Sequence, residues 1–252
     1  MPNDGSIILK PRELFSNAIL PENADELAKF MDQPLPAIAE AITGALAAGP
    51  KARTLMTGHL VQAVLKGKLF QQVSQEIKEL RDRGKIPDDF ADEKKYKYGF
   101  KSWVDLLKTI DEETPDADRL ETLKAMFYGV NKINATDSER IVNYQLFQIA
   151  KKLTSGELLL LRASFEAYNN SDFGTGDRLA PISHWAATIC NRMGHGLSAL
   201  VMKDDRELVE QGLFSPRINS ANVDSTNARV TDLGIRFCNV IKDYRIETKA
   251  DG

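Results

Sequence analysis

Histidine and cysteine are scarce in this chain: three histidines, His59, His184 and His195, and two cysteines, Cys190 and Cys238, are the whole supply. Two cysteines permit one disulfide at most. The N-terminal stretch also lacks a basic segment followed by an apolar core, so reduced, intracellular thiols and a cytoplasmic location are expected. No apolar run approaches the length of a membrane span, because Glu40 interrupts the Ala-rich segment and Lys66 and Lys68 follow soon after. A basic excess is missing as well. The net charge of −3 speaks against a nucleic-acid binder that relies on bulk phosphate neutralisation.

Catalytic and cofactor signatures are equally thin. Gly44-Ala-Leu-Ala-Ala-Gly49-Pro50-Lys51 fails as a phosphate loop: Pro50 supplies no N–H, Ala52 stands where a hydroxyl is needed, and no strand precedes. The separations of His184, Cys190 and His195 are six and five residues, which do not bring metal ligands onto one helix face. Asp172-Phe173-Gly174 matches a kinase tripeptide without the loops that give it meaning. Asp111, Glu112 and Glu113, followed by Asp116 and Asp118, lack the alternation of a calcium loop and suit a helix N-terminus. No serine, cysteine or threonine sits in a nucleophile motif. The expectation is a protein that is not an enzyme and carries no cofactor or metal.

What is present is a folded, helical composition: 252 residues, 42% hydrophobic and 27% charged. Charge is uneven. Residues 1–50 carry three bases against seven acids, and residues 51–100 eleven against seven, in an interleaved pattern that suits a solvated helix face.

Helix starts and stops recur along the chain. Asn23 or Asp25 can cap a helix to Met31, and another runs from Ala37 to Ala48, ended by Gly49-Pro50. Leu60, Val64, Phe70, Val73, Ile77 and Leu80 predict a long helix from Ala52 to about Arg83, stopped by Gly84-Lys-Ile-Pro87. Asp88–Tyr98 reads as a loop, and Ser102 as the cap of a helix carrying Trp103, Leu106, Leu107 and Ile110. Pro115 fits the first position of a helix with Leu120, Leu123, Phe127 and Val130 as its stripe. Thr136 with Glu139 opens another, with an apolar side of Ile141, Leu146, Ile149 and Leu153.

Thr154-Ser-Gly-Glu157 is a capping box ahead of the strongly apolar Leu158–Leu161, Phe165 and Tyr168. Pro181 starts a second helix with Ile182, Trp185, Ile189 and Met193 on one side. A third helix spans Leu197–Gln211 and leads into Gly212-Leu-Phe214. The polar run Asn219–Asn227, flanked by Leu213-Phe214 and Ala228-Arg-Val230, has the pattern of a hairpin tip. Thr231 caps a final helix with Leu233, Phe237 and Ile241 buried, and Gly234 in its first turn suits a close neighbouring backbone.

Leu208-Val-Glu-Gln-Gly-Leu-Phe214, with Arg229-Val-Thr-Asp-Leu-Gly-Ile-Arg-Phe237, resembles the end of bacterial winged-helix domains. There the third helix runs into Leu-x-x-x-Gly-Leu and the wing returns into Thr-x-x-Gly. The layout also resembles the bacterial Abi-alpha group, linked by name to phage abortive infection. That group places a long helix and a Trp-Val-Asp-Leu-Leu-like helix, here Trp103–Leu107, ahead of a small domain opening Leu-Ser-x-x-Glu. The expected fold is therefore all-α: a helical domain over 1–135, then a winged-helix-like domain over 136–252 with a small β-hairpin wing.

The acidic third helix favours a role through protein–protein contacts or self-association, and the resemblance implies a bacterial regulatory protein in phage defence. The alternative is a DNA-binding regulator. Lys203 and Arg206 on the third helix, with Arg217 and Arg229 on the wing, are the candidate partner or nucleic-acid contacts. Asp204, Asp205, Glu207 and Glu210 share that third helix and disfavour a duplex.

Overall fold

The computed structural model describes residues 66–174 (68 and 71 excepted), 181–194, 198–216 and 226–249. The expected helices over Asn23–Met31 and Ala37–Ala48 lie outside them. Among the described residues there are eight helices and no strand. They are α1 (72–82), α2 (Lys97–Glu113), α3 (Ala117–Asn131), α4 (Asp137–Lys152), α5 (Ser155–Asn169), α6 (Ile182–Met193), α7 (Ser198–Glu210) and α8 (Asp232–Lys249). The all-α expectation holds. No described helix is long and apolar enough to cross a membrane.

The chain divides into two compact units. The first takes residues up to Thr114 plus Asn131–Asn134; the second takes Pro115–Val130 and everything from Ala135 on. Helix α3, which lies ahead of the sequence boundary at 135, thus belongs mostly to the second unit.

In the first unit, Val73, Ile77 and Leu80 are buried at the spacing read from the sequence. Gly84 ends α1 at φ 66°, where a side chain is disfavoured. The segment after it is the expected loop as far as Tyr96, mostly exposed but anchored at two points. Ile86 and Phe90 are buried, and the Phe90 ring meets Trp103 edge-on at 6.0 Å. Helix α2 begins at Lys97, five residues before the expected cap. Ser102 is instead interior and fully buried, and its hydroxyl donates to the Gly99 carbonyl at 2.8 Å and accepts from Asn131 Nδ2 at 3.1 Å. A capping pattern cannot tell a serine at a helix start from one whose hydroxyl is satisfied by the preceding turn.

In the second unit, two capping boxes fall where the sequence put them. Thr136 with Glu139 opens α4, and Thr154 with Glu157 opens α5. Pro115 is not the first helical residue as expected: α3 begins at Ala117, and Asp116 caps it, accepting from the Arg119 N–H at 3.0 Å. Helix α3 is buried on several sides, with Leu123, Ala125, Met126, Phe127 and Val130 essentially inaccessible.

Helix α4 departs from its expected stripe: Ile141 is exposed, and the buried face runs through Arg140, Asn143, Leu146, Phe147 and Ala150. The two polar residues are there because α3 ends against them. Arg140 donates to the Val130 carbonyl at 2.9 Å and Asn143 to the Gly129 carbonyl at 2.6 Å, satisfying carbonyls that α3 leaves open at its C-terminus. Helix α5 packs against α6, α7 and α8 and forms the hub of the unit. On α8, Phe237 is buried while Leu233 and Ile241 are only partly so.

The β-hairpin wing is not formed as expected. Between α7 and α8 the described residues hold a single antiparallel bridge, Phe214 with Val230. It is flanked by Ser215 N–H to the Arg229 carbonyl at 2.8 Å and Thr231 N–H to the Leu213 carbonyl at 3.0 Å. Two constraints limit pairing there: Gly212 turns the chain out of α7, and Arg229 breaks extended geometry at φ 68°. Residues 219–225 of the expected tip lie outside the described residues.

Candidate functional site

The corner where α6, α7, the bridge and α8 meet is built from turn chemistry upward. Helix α7 closes in a Schellman arrangement: Leu213 N–H reaches the Leu208 carbonyl at 2.9 Å and Gly212 N–H the Val209 carbonyl at 3.0 Å, with Gly212 at φ 73°. The chain then passes so close to α8 that a Cβ on Gly234 would lie 2.4 Å from the Leu213 carbonyl oxygen. Only glycine fits there, as the sequence suggested. Thr231 ties the pieces together, donating to the Gly212 carbonyl at 2.7 Å and accepting from the Gly234 N–H at 3.1 Å.

Arg229 is the centre of this corner. It is 1% exposed, and its guanidinium pairs with Asp205 of α7 and donates to the Ser215 carbonyl at 2.8 Å. It also lies 4.9 Å from the Trp185 ring centre and 5.7 Å from that of Phe214. The Trp185 indole N–H in turn donates to the Ala228 carbonyl at 3.1 Å. Burial pushes the Arg229 guanidinium below its ordinary value, while Asp205 acts to raise it. A left-handed backbone at a buried arginine persists because these contacts over-determine it.

Of the four candidate contacts, the structure brings two together. Lys203 and Arg206 are exposed on one face of α7. Arg229 faces inward and presents no charge to a partner, and Arg217 lies outside the described residues.

The acids of α7 are disposed differently from what composition suggests. Asp205 is 7% exposed and paired with Arg229. Asp204 rests at the first turn of α5, where a Cβ on Gly156 would be 2.7 Å from its Oδ2; a helix N-terminus favours a carboxylate. Glu207 accepts from Gln211 at 2.9 Å. The exposed stripe is therefore Ala199, Met202, Lys203, Arg206 and Glu210, spaced three, one, three and four apart, with Leu200 beside it. Leu200 is 47% exposed and Met202 37%.

The Asp205–Arg229 pair was missed by sequence reasoning, yet a signal existed. Asp205 falls four residues after Val201 and three before Leu208, on the line of α7's buried side chains.

Among the described residues, no group of three or more His, Cys, Asp or Glu side chains could hold a metal ion. His184 packs edge-on against Phe173 at 5.6 Å, Cys190 is buried, and His195 lies outside the described residues. Tyr128 and Cys238 are both pushed up to about 12, chiefly by burial, so each stays neutral near pH 7. The chain matches no family model, no curated protein and no solved structure.

Proposed function

We propose that the protein is a non-enzymatic interaction module that contacts another protein, or a second copy of itself, through the exposed stripe of α7. The observation that carries this reading is exposed Met202 beside Lys203 and Arg206 on one helix surface. Methionine and arginine are over-represented in protein interfaces, whose cores need apolar area and whose rims need charge. The winged-helix-like order of helix, helix, helix, bridge and helix supports a regulatory role, and the Abi-alpha resemblance supports a bacterial phage-defence setting.

The test compares the full chain with Lys203→Glu/Arg206→Glu in a pull-down from the source cell's lysate and in light scattering. The reading expects loss of a recovered partner, or of a dimer, with the melting temperature unchanged. Identical partners and mass for both proteins would refute it.

DNA binding is the second reading, and one observation favours it: of the four α7 acids, Asp204 and Asp205 are turned into the protein, so a duplex would meet Lys203 and Arg206 with half-exposed Glu207 beside them and Glu210 at the far end. A low-salt gel shift decides. Absence of any complex at about 100 μM, where non-specific binders register, removes this reading.

A further inference from the structure

The outward charges of α7 are sorted by sign along the helix: Lys203 and Arg206 come first, Glu207 and Glu210 after them. At about 100° per residue, exposed Lys203, Arg206 and Glu210 fall within about 60° of one another around the helix axis, and half-exposed Glu207 borders them. These charges are not neutralised within the chain. Lys203 and Glu207, like Arg206 and Glu210, are four residues apart, but the base stands nearer the N-terminus, the weaker order for a pair on one helix. Glu207 instead accepts from Gln211 at 2.9 Å, and among the described residues Lys203, Arg206 and Glu210 enter no ion pair.

Resting on the reading of α7 as a contact surface, we propose that its partner is a second copy of this chain, bound with the two α7 helices antiparallel about a two-fold axis that passes between Arg206 and Glu207.

The order of signs selects that partner. A two-fold contact sets one patch against itself. With the helices antiparallel, the Lys203–Arg206 half of each lies along the Glu207–Glu210 half of the other, so bases meet acids on both sides of the axis. With the helices parallel, each charge would face its own like, which is destabilising. A row with its signs interleaved would give neither direction an advantage. Met202, 37% exposed, lies beside the row and adds apolar surface, and Ala199 keeps its N-terminal end low. A single helix face whose ion pairs stay partly solvated is well below the size of a permanent dimer interface. The expected dissociation constant is therefore about 100 μM at low salt, and it weakens as salt screens the pairs.

Sedimentation equilibrium of the full chain from about 10 μM to about 1 mM, a decade either side of that constant, tests this. Two variants are compared with it: Lys203→Glu/Arg206→Glu makes the row wholly acidic, and Glu207→Lys/Glu210→Lys makes it wholly basic. Each alone is expected to self-associate more than about tenfold more weakly, because like charges then meet. Their equimolar mixture is expected to form a heterodimer at about the wild-type constant, since an acidic row then lies along a basic one. If either variant does not fold by circular dichroism, the chain carrying all four substitutions replaces the mixture and is expected to dimerise like the wild type. A wild-type chain that stays monomeric to about 1 mM overturns the proposal. So does a dimer that both variants keep, or a wild-type dimer whose variants do not associate when mixed. The underlying reading fails separately: a monomeric chain that still recovers a lysate partner through Lys203 and Arg206 keeps α7 as a contact and excludes only the second copy as its occupant.

Discussion

Two arginine–carboxylate pairs in the second unit show how the same chemistry serves different ends. Arg229–Asp205 is almost entirely out of water and stacks on Trp185, whereas Arg245–Glu121 is about one-third exposed on each side. Geometry alone would rank Arg245 first, since it grips both oxygens of Glu121. Burial reverses the order. Water can replace an exposed partner, but removing one member of a buried pair strands an uncompensated charge.

The largest expected effect follows from that difference. Asp205→Ala should destabilise the protein by about 3–5 kcal/mol, the cost of leaving a buried charge unpaired, measured by chemical denaturation. A loss below about 1 kcal/mol would place this pair with the exposed one. Gly234→Ala comes next, at about 1–3 kcal/mol, because its Cβ would meet a backbone carbonyl that cannot swing aside. Thr154→Ala removes the capping box of α5 and should cost about 1 kcal/mol.

Glu121→Gln should have the smallest effect, and its pH dependence sharpens the contrast. The hydrogen bonds from Arg245 hold the Glu121 carboxyl below its usual value. A lowered folded value means the pair's stabilisation is full above the unfolded glutamate value of about 4.3. It is lost as pH falls through the folded value. The melting temperatures of wild type and Glu121→Gln should therefore differ at neutral pH and converge in acid. A gap that stays constant through the acid range would show that the carboxylate charge is not what stabilises.

Local chemistry was legible in the sequence where it is self-contained. The capping boxes at Thr136 and Thr154 each lie within four residues, and Gly234 was flagged by its place in a helix's first turn. What sequence could not show was side-chain chemistry completed at a distance. Arg140 and Asn143 look like solvent-facing residues until α3 presents its open carbonyls to them. Arg229 looks like a wing contact until Asp205, 24 positions away, claims it. The same event reshapes the candidate site, because pairing withdraws one base and one acid at once and leaves exposed Lys203 and Arg206, with half-exposed Glu207, in α7's middle turns. Counting four acids on the helix overstated its repulsion of an anion, since counting ignores direction.

The central claim is that Arg229 is an internal fastening and Arg206 a presented contact. Arginine-selective modification of the native protein with phenylglyoxal, read by peptide mass spectrometry, tests it directly. The account predicts rapid adduct formation at Arg206 and protection of Arg229 until denaturant unfolds the chain. Equal rates at the two residues in the native protein would contradict it.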